Sequence, residues 1–307
     1  MRVLVTGAGG FLGGAIHRRL AQRGNVEAIA AIRRASPRHP DARLLDLADK
    51  AAIVDALHAA RPEIVIHAAG RPRGLPGDFN ADNVTATTNL AQAIGEASPR
   101  TGLILLSSAA QYGRSADHRP WRETDPCSPV DAYGASKLAA ERAAIAEGAR
   151  HGVRVTALRL FNVISGEPVG ETAFSSFIVR AMRAVSAGPP HRVEMAQLGA
   201  VRDFVALEDF LRAVELVIDA GAWGEALNIC TGFGRTVRDL IKPAVTAIGL
   251  GLTLVEPEAP APLLDWSVGD PTSCRARLGF TPSSDLTPLI ERAAANVRAA
   301  ALERRDA

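Results

Sequence analysis

The chain holds two tyrosines, Tyr112 and Tyr133, and only three lysines, Lys50, Lys137 and Lys242, among its 35 Lys and Arg residues. Tyr133 and Lys137 stand four apart in "YGASK", inside "AYGASKLAAERAAIAEGARHG", which reads as a long helix. Residues i and i+4 of a helix share a face. A phenol titrates near pH ~10 and is a poor acid–base group at neutral pH; an ammonium beside it favours the phenolate and lowers that value. Lysine is a compact charge on a long stem, a role that arginine's planar fork does not fill. Gly134, Ala135 and Ser136 are small, which would let this helix approach a flat ligand. Ser108 ends the apolar run "GLILLSS". A hydroxyl there can bond a carbonyl oxygen and stabilise charge developing on it. The bland alternative is a surface Tyr–Lys pair beside a strand-end serine.

A second constellation lies at the start of the chain. "RVLVTG" reads as a buried strand, and "VTGAGGFLGG" runs from it into a helix. Gly7, Gly10 and Gly13 stand three apart, suited in turn to a tight turn, close approach of backbone to a pyrophosphate, and close helix–sheet packing. The N–H groups around Phe11 and Leu12 open the helix, where a free helix end favours phosphate. A plain glycine turn is the alternative; the position after the first strand favours dinucleotide binding. The second strand, "VEAIAAI", ends in Arg33 and Arg34 rather than an acidic residue that would bond ribose hydroxyls. Guanidinium groups suit a 2′-phosphate, so NADP is expected, with NAD as the alternative if these arginines are only solvated. Asp46, with Leu47 beside it, follows a third strand within reach of an adenine amino group. Ala68 and Ala69 follow a fourth strand and leave room for a flat cofactor. Lys137 can also hold the nicotinamide ribose hydroxyls.

The elements that must carry these groups alternate. Continuous apolar strands "RVLVTG", "VEAIAAI", "ARLLDL", "EIVIHAAG", "GLILLSS" and "VRVTALRL" are separated by helical stretches, including "KAAIVDALHAA" and "DNVTATTNLAQAIGEA". Continuous strands between helices imply an α/β fold, a doubly wound parallel (Rossmann) sheet covered on both faces. After Asn162 the chain is richer in Gly, Pro and Ser, with helices near Ser175–Val185 and Leu207–Asp219, a strand in "EALNIC", a helix in "TVRDLIKPAVTAIG", a strand in "LTLVE", a proline-rich loop at 256–262, and a closing helix. We read residues 1–164 and 204–230 as the dinucleotide-binding domain, and 165–203 with 231–307 as a smaller α/β substrate-binding domain. A net charge of +2 with mixed signs argues against a nucleic-acid surface or a polybasic membrane surface. Cys127, Cys230 and Cys274 lie far apart, and no H-x-x-x-H occurs, so neither a disulfide framework nor a metal site is expected. No leader-like n- and h-region precedes the first strand and no apolar run is long enough to span a bilayer, so a cytoplasmic protein is expected.

Together, "TGAGGFLG", "DLAD", "IVIHAAG", "DNVTATTNL", "LLSSAAQYG", "YGASK", "LRLFNV" and "VRDFVALEDF" resemble, in order and over most of the chain, the extended short-chain dehydrogenase/reductase family, the NAD-dependent epimerase/dehydratase group. The resemblance implies catalytic Ser108, Tyr133 and Lys137 assisted by Asn83. It implies substrate contact by Asn162, a nicotinamide contact at the Val163 backbone, and a substrate-diphosphate contact by Arg202. It also implies a homodimer through the helices holding Asn83 and Tyr133. Within the family the second half is most similar to reductases of GDP-4-keto-6-deoxymannose type, implying a nucleotide-linked 4-keto-6-deoxy sugar as substrate.

Two departures bear on substrate. The Asp-Glu pair of dehydratase members is replaced by Ala109 and Ala110, which argues against a 4,6-dehydratase. The Arg-Pro-x-Asp stretch of nucleotide-sugar members is replaced by "VEPEAPAPLLDW", without an arginine. Arg202 alone is a weaker clamp for a diphosphate, and it has a structural alternative as ion-pair partner of Asp203 or Glu208. A nucleotide-sugar epimerase, a reductase of another ketone, and a non-catalytic dinucleotide sensor therefore stand beside the reductase reading. An intact Ser–Tyr–Lys set argues against the sensor.

Overall fold

The computed structural model describes residues 1–170, 172–258 and 264–303. Its first part runs β1 (Arg2–Thr6), α1 (Phe11–Ala21), β2 (Glu27–Ile32), β3 (Arg43–Leu44), α2 (Lys50–Ala60), β4 (Ile64–His67), α3 (Pro76–Phe79), α4 (Ala86–Ala97), β5 (Gly102–Ser108), α5 (Ala132–His151) and β6 (Val155–Leu160). These strands and β10 (Ala226–Ile229) form one parallel sheet in the order β10-β6-β5-β4-β1-β2-β3. Strand β4 is buried along its length, as is β6, because helices cover both faces; their few polar side chains, His67, Thr156 and Arg159, are buried with the rest. The order reverses between β1 and β4, and ligands of such sheets sit beyond the carboxyl ends of the strands at that point.

Two elements differ from the sequence reading. The third strand is only Arg43–Leu44, both exposed at the sheet edge, while Leu45 and Leu47 turn into the core beyond it. The helix over 82–97 is not uniform. Residues Asn80–Thr85 form a π-helical turn between α3 and α4, and Asn83 is buried in it. Such turns are rare and recur at functional sites.

The remaining elements are β7 (Asn162–Ile164), α6 (Ala173–Ala187), β8 (Arg192–Glu194), β9 (Val201–Ala206), α7 (Leu207–Ala220), β11 (Gly234–Thr236), α8 (Val237–Ile248), β12 (Thr253–Val255), β13 (Trp266–Ser267), α9 (Thr272–Leu278) and α10 (Thr287–Glu303). The helices and strands read from the sequence here are present; β7, β8, β9, β11, β13 and α9 are additional. Strands β7, β9, β11 and β13 form a second sheet, and β8 pairs with β12. Strand alternation makes β7 and β9 a seam: Val163 and Val205 pack into the core of the large sheet, and Ile164 and Phe204 into the core formed by α6, α8 and α10. Of the proline-rich stretch at 256–262, residues 259–262 lie outside the described residues, as does the end of the closing helix beyond Glu303.

Candidate active site

The ends of β1, β4, β5 and β6 open into a cavity of about 1100 Å³, larger than the ~300–1,000 Å³ usual for one small ligand. Its floor is the glycine turn. Gly7 has φ +70°, and a Cβ on it would lie 2.5 Å from the Ala69 amide nitrogen. A Cβ on Gly13 would fall on the Gly7 carbonyl oxygen. Only glycine therefore lets α1 start this close to β4. Gly10 caps α1 without any side-chain hydrogen bond, so the first N–H groups of the helix are left for a ligand. Gly10, Phe11, Leu12, Gly13, Ala68 and Ala69 all line the cavity. This cradle fits the pyrophosphate half of a dinucleotide.

The chemistry sits deeper. The Asp131 side chain caps α5 by accepting from the Gly134 amide at 2.7 Å. Gly134 packs so tightly on the 109–111 turn that a Cβ would lie 2.5 Å from the Ala110 carbonyl oxygen. That close approach brings Tyr133 to the end of β5, into the cavity beside the Ser108 side chain, which acts on its phenol. The Ser108 oxygen also accepts from the Ala110 amide at 3.2 Å. The Tyr133 ring leans on Phe79, 6.1 Å between centroids. Lys137 is buried and its ammonium donates to the Leu106 carbonyl at 2.6 Å. Ser108, Tyr133 and Lys137 thus converge on one cavity, as do Leu160, Asn162 and Val163 from the sixth strand and the seam.

The electrostatics differ from the simple expectation. Burial raises the Tyr133 phenol above its ordinary value, and the Ser108 hydrogen bond only partly offsets this. Lys137 does not bring it down; its own pKa is lowered to about 8, chiefly by burial. The phenol is therefore held protonated at neutral pH, the state a proton donor needs.

Asn83 lines the same cavity, and its side chain is fixed by three hydrogen bonds. Its amide nitrogen donates to the Arg71 carbonyl (3.0 Å) and to the Ser136 hydroxyl (2.9 Å), and its amide oxygen accepts from the Arg71 amide (2.7 Å). The side chain fastens the loop after β4 to α5 and reaches neither Tyr133 nor Lys137. Ser136 is small because it meets Asn83, and Gly134 because it meets Ala110; neither serves a flat ligand directly.

Beneath Asn83 lies His67, 1% exposed. Its Nδ1 is 2.7 Å from the Thr6 hydroxyl and its Nε2 3.0 Å from the Thr87 hydroxyl. The Thr87 hydroxyl donates to the Asn83 carbonyl at 2.6 Å, so it accepts from Nε2–H, which leaves Nδ1 to accept from Thr6. This arrangement needs a neutral ring, and burial, with Lys137 nearby, lowers the His67 pKa to about 3. Between pH ~6.5 and about 3 the unfolded chain binds a proton that the folded chain refuses, so stability falls as pH falls, by about 1.4 kcal/mol per unit. Urea unfolding at pH 6.5 and 5.0 is expected to show this loss in the parent and not in His67→Gln.

The adenosine end departs from the sequence reading. Arg33 is turned outward into an ion pair with Asp82 on the π turn (2.9 Å), which also pairs with Arg71 (2.6 Å). Arg34 is exposed, and neither Arg33 nor Arg34 lines the cavity. The loop after β2 folds back instead and brings Arg38 and His39 to the cavity beside His17 and Arg18 of α1, with the His17 and His39 rings 6.4 Å apart. Asp46 and Leu47 stand just outside the cavity lining. The Asp46 carboxylate accepts from the Ala48 amide (3.0 Å) in a local turn, and the Leu47 side chain is core.

On the opposite wall Arg202 is half-buried and donates to the carbonyls of Val201 (2.8 Å) and Leu264 (2.7 Å). It forms no ion pair among the described residues. Asp203 is held instead by Thr231, Gly232 and Gly269, and Glu208 pairs with Arg19. Arg202 is thus paired with neither Asp203 nor Glu208; its guanidinium is held by two carbonyls, with Asp265 the carboxylate that acts on it. Asn162 donates to the Asp203 carbonyl at 3.1 Å. Among the described residues no group of His, Cys, Asp and Glu could hold a metal, and no helix is long and apolar enough to cross a membrane.

A phenol and a hydroxyl lining one wall together, with a buried ammonium one helical turn away, at the deep end of a cleft that begins in a glycine turn, define an NAD(P)-dependent enzyme that moves hydride and proton. The chain belongs to the NAD dependent epimerase/dehydratase family, whose model matches residues 3–230. It is 30% identical over 297 residues to dTDP-6-deoxy-L-talose 4-dehydrogenase (NAD(P)(+)) of Kitasatospora kifunensis, covering 94% of this chain and 93% of that one. It is 28% identical over 264 residues to GDP-6-deoxy-D-mannose reductase of Pseudomonas aeruginosa, covering 84% of each. Its fold superposes on UDP-glucose 4-epimerase of Thermus thermophilus, solved in complex with NAD, with a TM-score of 0.81 at 27% identity, covering 97% of this chain and 99% of that one.

Proposed function

We propose that this protein is an NAD(P)H-dependent reductase of a nucleotide-linked 4-keto-6-deoxy sugar. The observation that carries the reading is the Tyr133–Ser108 pair, with the phenol held protonated, facing a cavity whose far wall holds Arg202. The nicotinamide, when bound, supplies the hydride. Tyr133 and Ser108 both direct hydroxyls to one place, where a substrate carbonyl oxygen would receive a hydrogen bond from Ser108 and the proton from Tyr133. Lys137, one helical turn from Tyr133, would hold the ribose hydroxyls of the cofactor. Arg202, with Asn162, meets the substrate's phosphate groups. Ala109 and Ala110 supply no acid–base group for an elimination. The relatives acting on dTDP- and GDP-linked 6-deoxy sugars support this substrate class. The division at 164/165 and 203/204 assigns Arg202 to the substrate-binding part. We further read the protein as a cytoplasmic homodimer through α4 and α5; exposed Ile145 on α5 supports that face.

Oxidation of NADPH or NADH is to be followed with dTDP- and GDP-4-keto-6-deoxyhexoses and with simple ketones. Turnover of a simple ketone, with none on any nucleotide sugar, would overturn the substrate class and spare the mechanism. A second reading, a nucleotide-sugar epimerase, is favoured by the likeness to the NAD-bound epimerase; protein purified with stoichiometric NAD would select it.

For the cofactor we read NADP, with Arg38 and His39 rather than Arg33 and Arg34 meeting the 2′-phosphate. A lost charge-assisted hydrogen bond is worth ~1.5–3 kcal/mol, so Arg38→Ala is expected to raise KM for NADPH by roughly tenfold or more and leave KM for NADH nearly unchanged. Equal effects on both cofactors in steady-state kinetics would remove Arg38 from that role.

A further inference from the structure

Lys137 is a buried cation whose charge the site uses, and something must hold it. Glu141 lies four residues further along α5, on the same face, and is 2% exposed. It cannot turn away. One of its carboxylate oxygens accepts from the Ser107 hydroxyl (2.5 Å) and the Gln111 amide (3.0 Å); the other accepts from Arg159 Nη2 (2.6 Å) and Nε (3.0 Å). Arg159 is itself fixed, donating through Nη1 to the Tyr112 hydroxyl (2.9 Å) and the Glu123 carbonyl (2.9 Å). A single carboxylate therefore joins α5 to the end of β5, to the 109–111 turn and to β6.

Among the described residues, Glu141 is the anion that acts on Lys137. From β5 it meets the uncharged Leu106 carbonyl, and from β4 it faces His67, whose ring is neutral. From its own helix it shares a face with Tyr133, whose phenol is protonated, and with Glu141, the one charge that works to keep its proton on. Arg159 compensates Glu141 on the side of β6. A buried ion pair is by itself weak evidence of a stabilising role. The position of this one, a turn below the site lysine, gives it another use.

We infer that Glu141 acts through Lys137, as the anchored counter-charge that keeps this lysine an ammonium inside the site. The inference rests on the proposed function only for what the ammonium is used for. The charge itself is measurable without substrate or cofactor.

The scarcity of lysine makes the measurement direct. Protein labelled with ε-13C lysine carries three signals, and Lys50 and Lys242 serve as internal references remote from Glu141. In the parent, Lys137 is expected to titrate near pH 8. An opposite charge nearby shifts a pKa by ~1–3 units, so in Glu141→Gln the Lys137 signal is expected to titrate about one unit or more lower, with the references unmoved. If Glu141→Gln leaves Arg159 unpaired and does not fold, Glu141→Gln/Arg159→Met removes both charges and is read in the same way, since replacing a buried pair together is often neutral. Lys137 titrating at its parent value in the folded variant would overturn the inference and leave Glu141 a structural clamp. Absence of turnover on the screened ketones would bear on the proposed function alone.

Discussion

Tyr133→Phe is expected to bind NADPH and NADH as the parent does and to lose turnover by about 10²–10⁴-fold, the usual contribution of a positioned general acid. The substitution removes one oxygen. The ring keeps its place against Phe79, and the α5 cap at Asp131 is untouched. The glycine turn, the cradle that fits a pyrophosphate, lies elsewhere in the cavity. What is lost is the proton that a carbonyl oxygen needs as hydride arrives, an interaction made in the transition state, so kcat and kcat/KM should fall together. Because burial keeps the phenol protonated, the parent should lose no reduction rate from Tyr133 deprotonation in the neutral range. Fluorescence titration of cofactor and steady-state kinetics on the same preparations check both halves. A variant with parental kcat would sink the proposed role of Tyr133.

The second large effect is expected at Gly13. A methyl group there would meet the Gly7 carbonyl carbon at 2.7 Å and the Ala68 Cβ at 3.2 Å, besides the Gly7 oxygen. The obstacle is mostly backbone and cannot rotate away, so Gly13→Ala must push the start of α1 off β1 and β4. The N–H groups that open α1 then leave the position they hold for phosphate. A displacement of ~1 Å in a positioned group can cost on the order of 10²-fold, and dinucleotide affinity should fall by that much for NADPH and NADH alike. Gly24→Ala, where nothing lies within 4 Å of the new carbon, is the control and should bind normally. Parental affinity in Gly13→Ala, measured by the same titration, would remove the glycine turn from cofactor binding.

The parts of the site legible in the sequence were those whose chemistry and spacing are local. Tyr133 and Lys137 share a helix, Gly7, Gly10 and Gly13 share a turn, and each set needs only its own segment to be recognised. The parts that were not legible depend on where a loop travels. Nothing in "IRRASPRHPD" tells which arginine folds back toward α1; Asp82, far along the chain, draws Arg33 outward and Arg38 fills the place. The small residues of "YGASK" point to close approach, but the partners are Ala110 and Asn83, which only the fold brings together. Asp46 reads as a ligand group from its position after a strand, yet its carboxylate closes its own turn. Strands β7 and β9 escape periodicity because short strands with two different cores on their two faces show no polar alternation.

That shared strand pair has a mechanical consequence. Successive side chains of β7 and β9 are keyed into different cores, so a bending motion between the two lobes would have to unpack both at once, and close-packed interiors resist such deformation. The pair is a crossbeam rather than a hinge. Adjustment to a substrate must then fall to the cavity's lighter rims, Val169, Gly170 and Thr172 on one side and Leu264 on the other, while the distance from Arg202 on β9 to the reacting hydroxyls stays nearly constant. On the proposed reading, in which Arg202 meets the substrate's phosphate groups, a molecule would be measured against a fixed span: its length between anionic group and ketone, more than any closure around it, would decide whether it reacts.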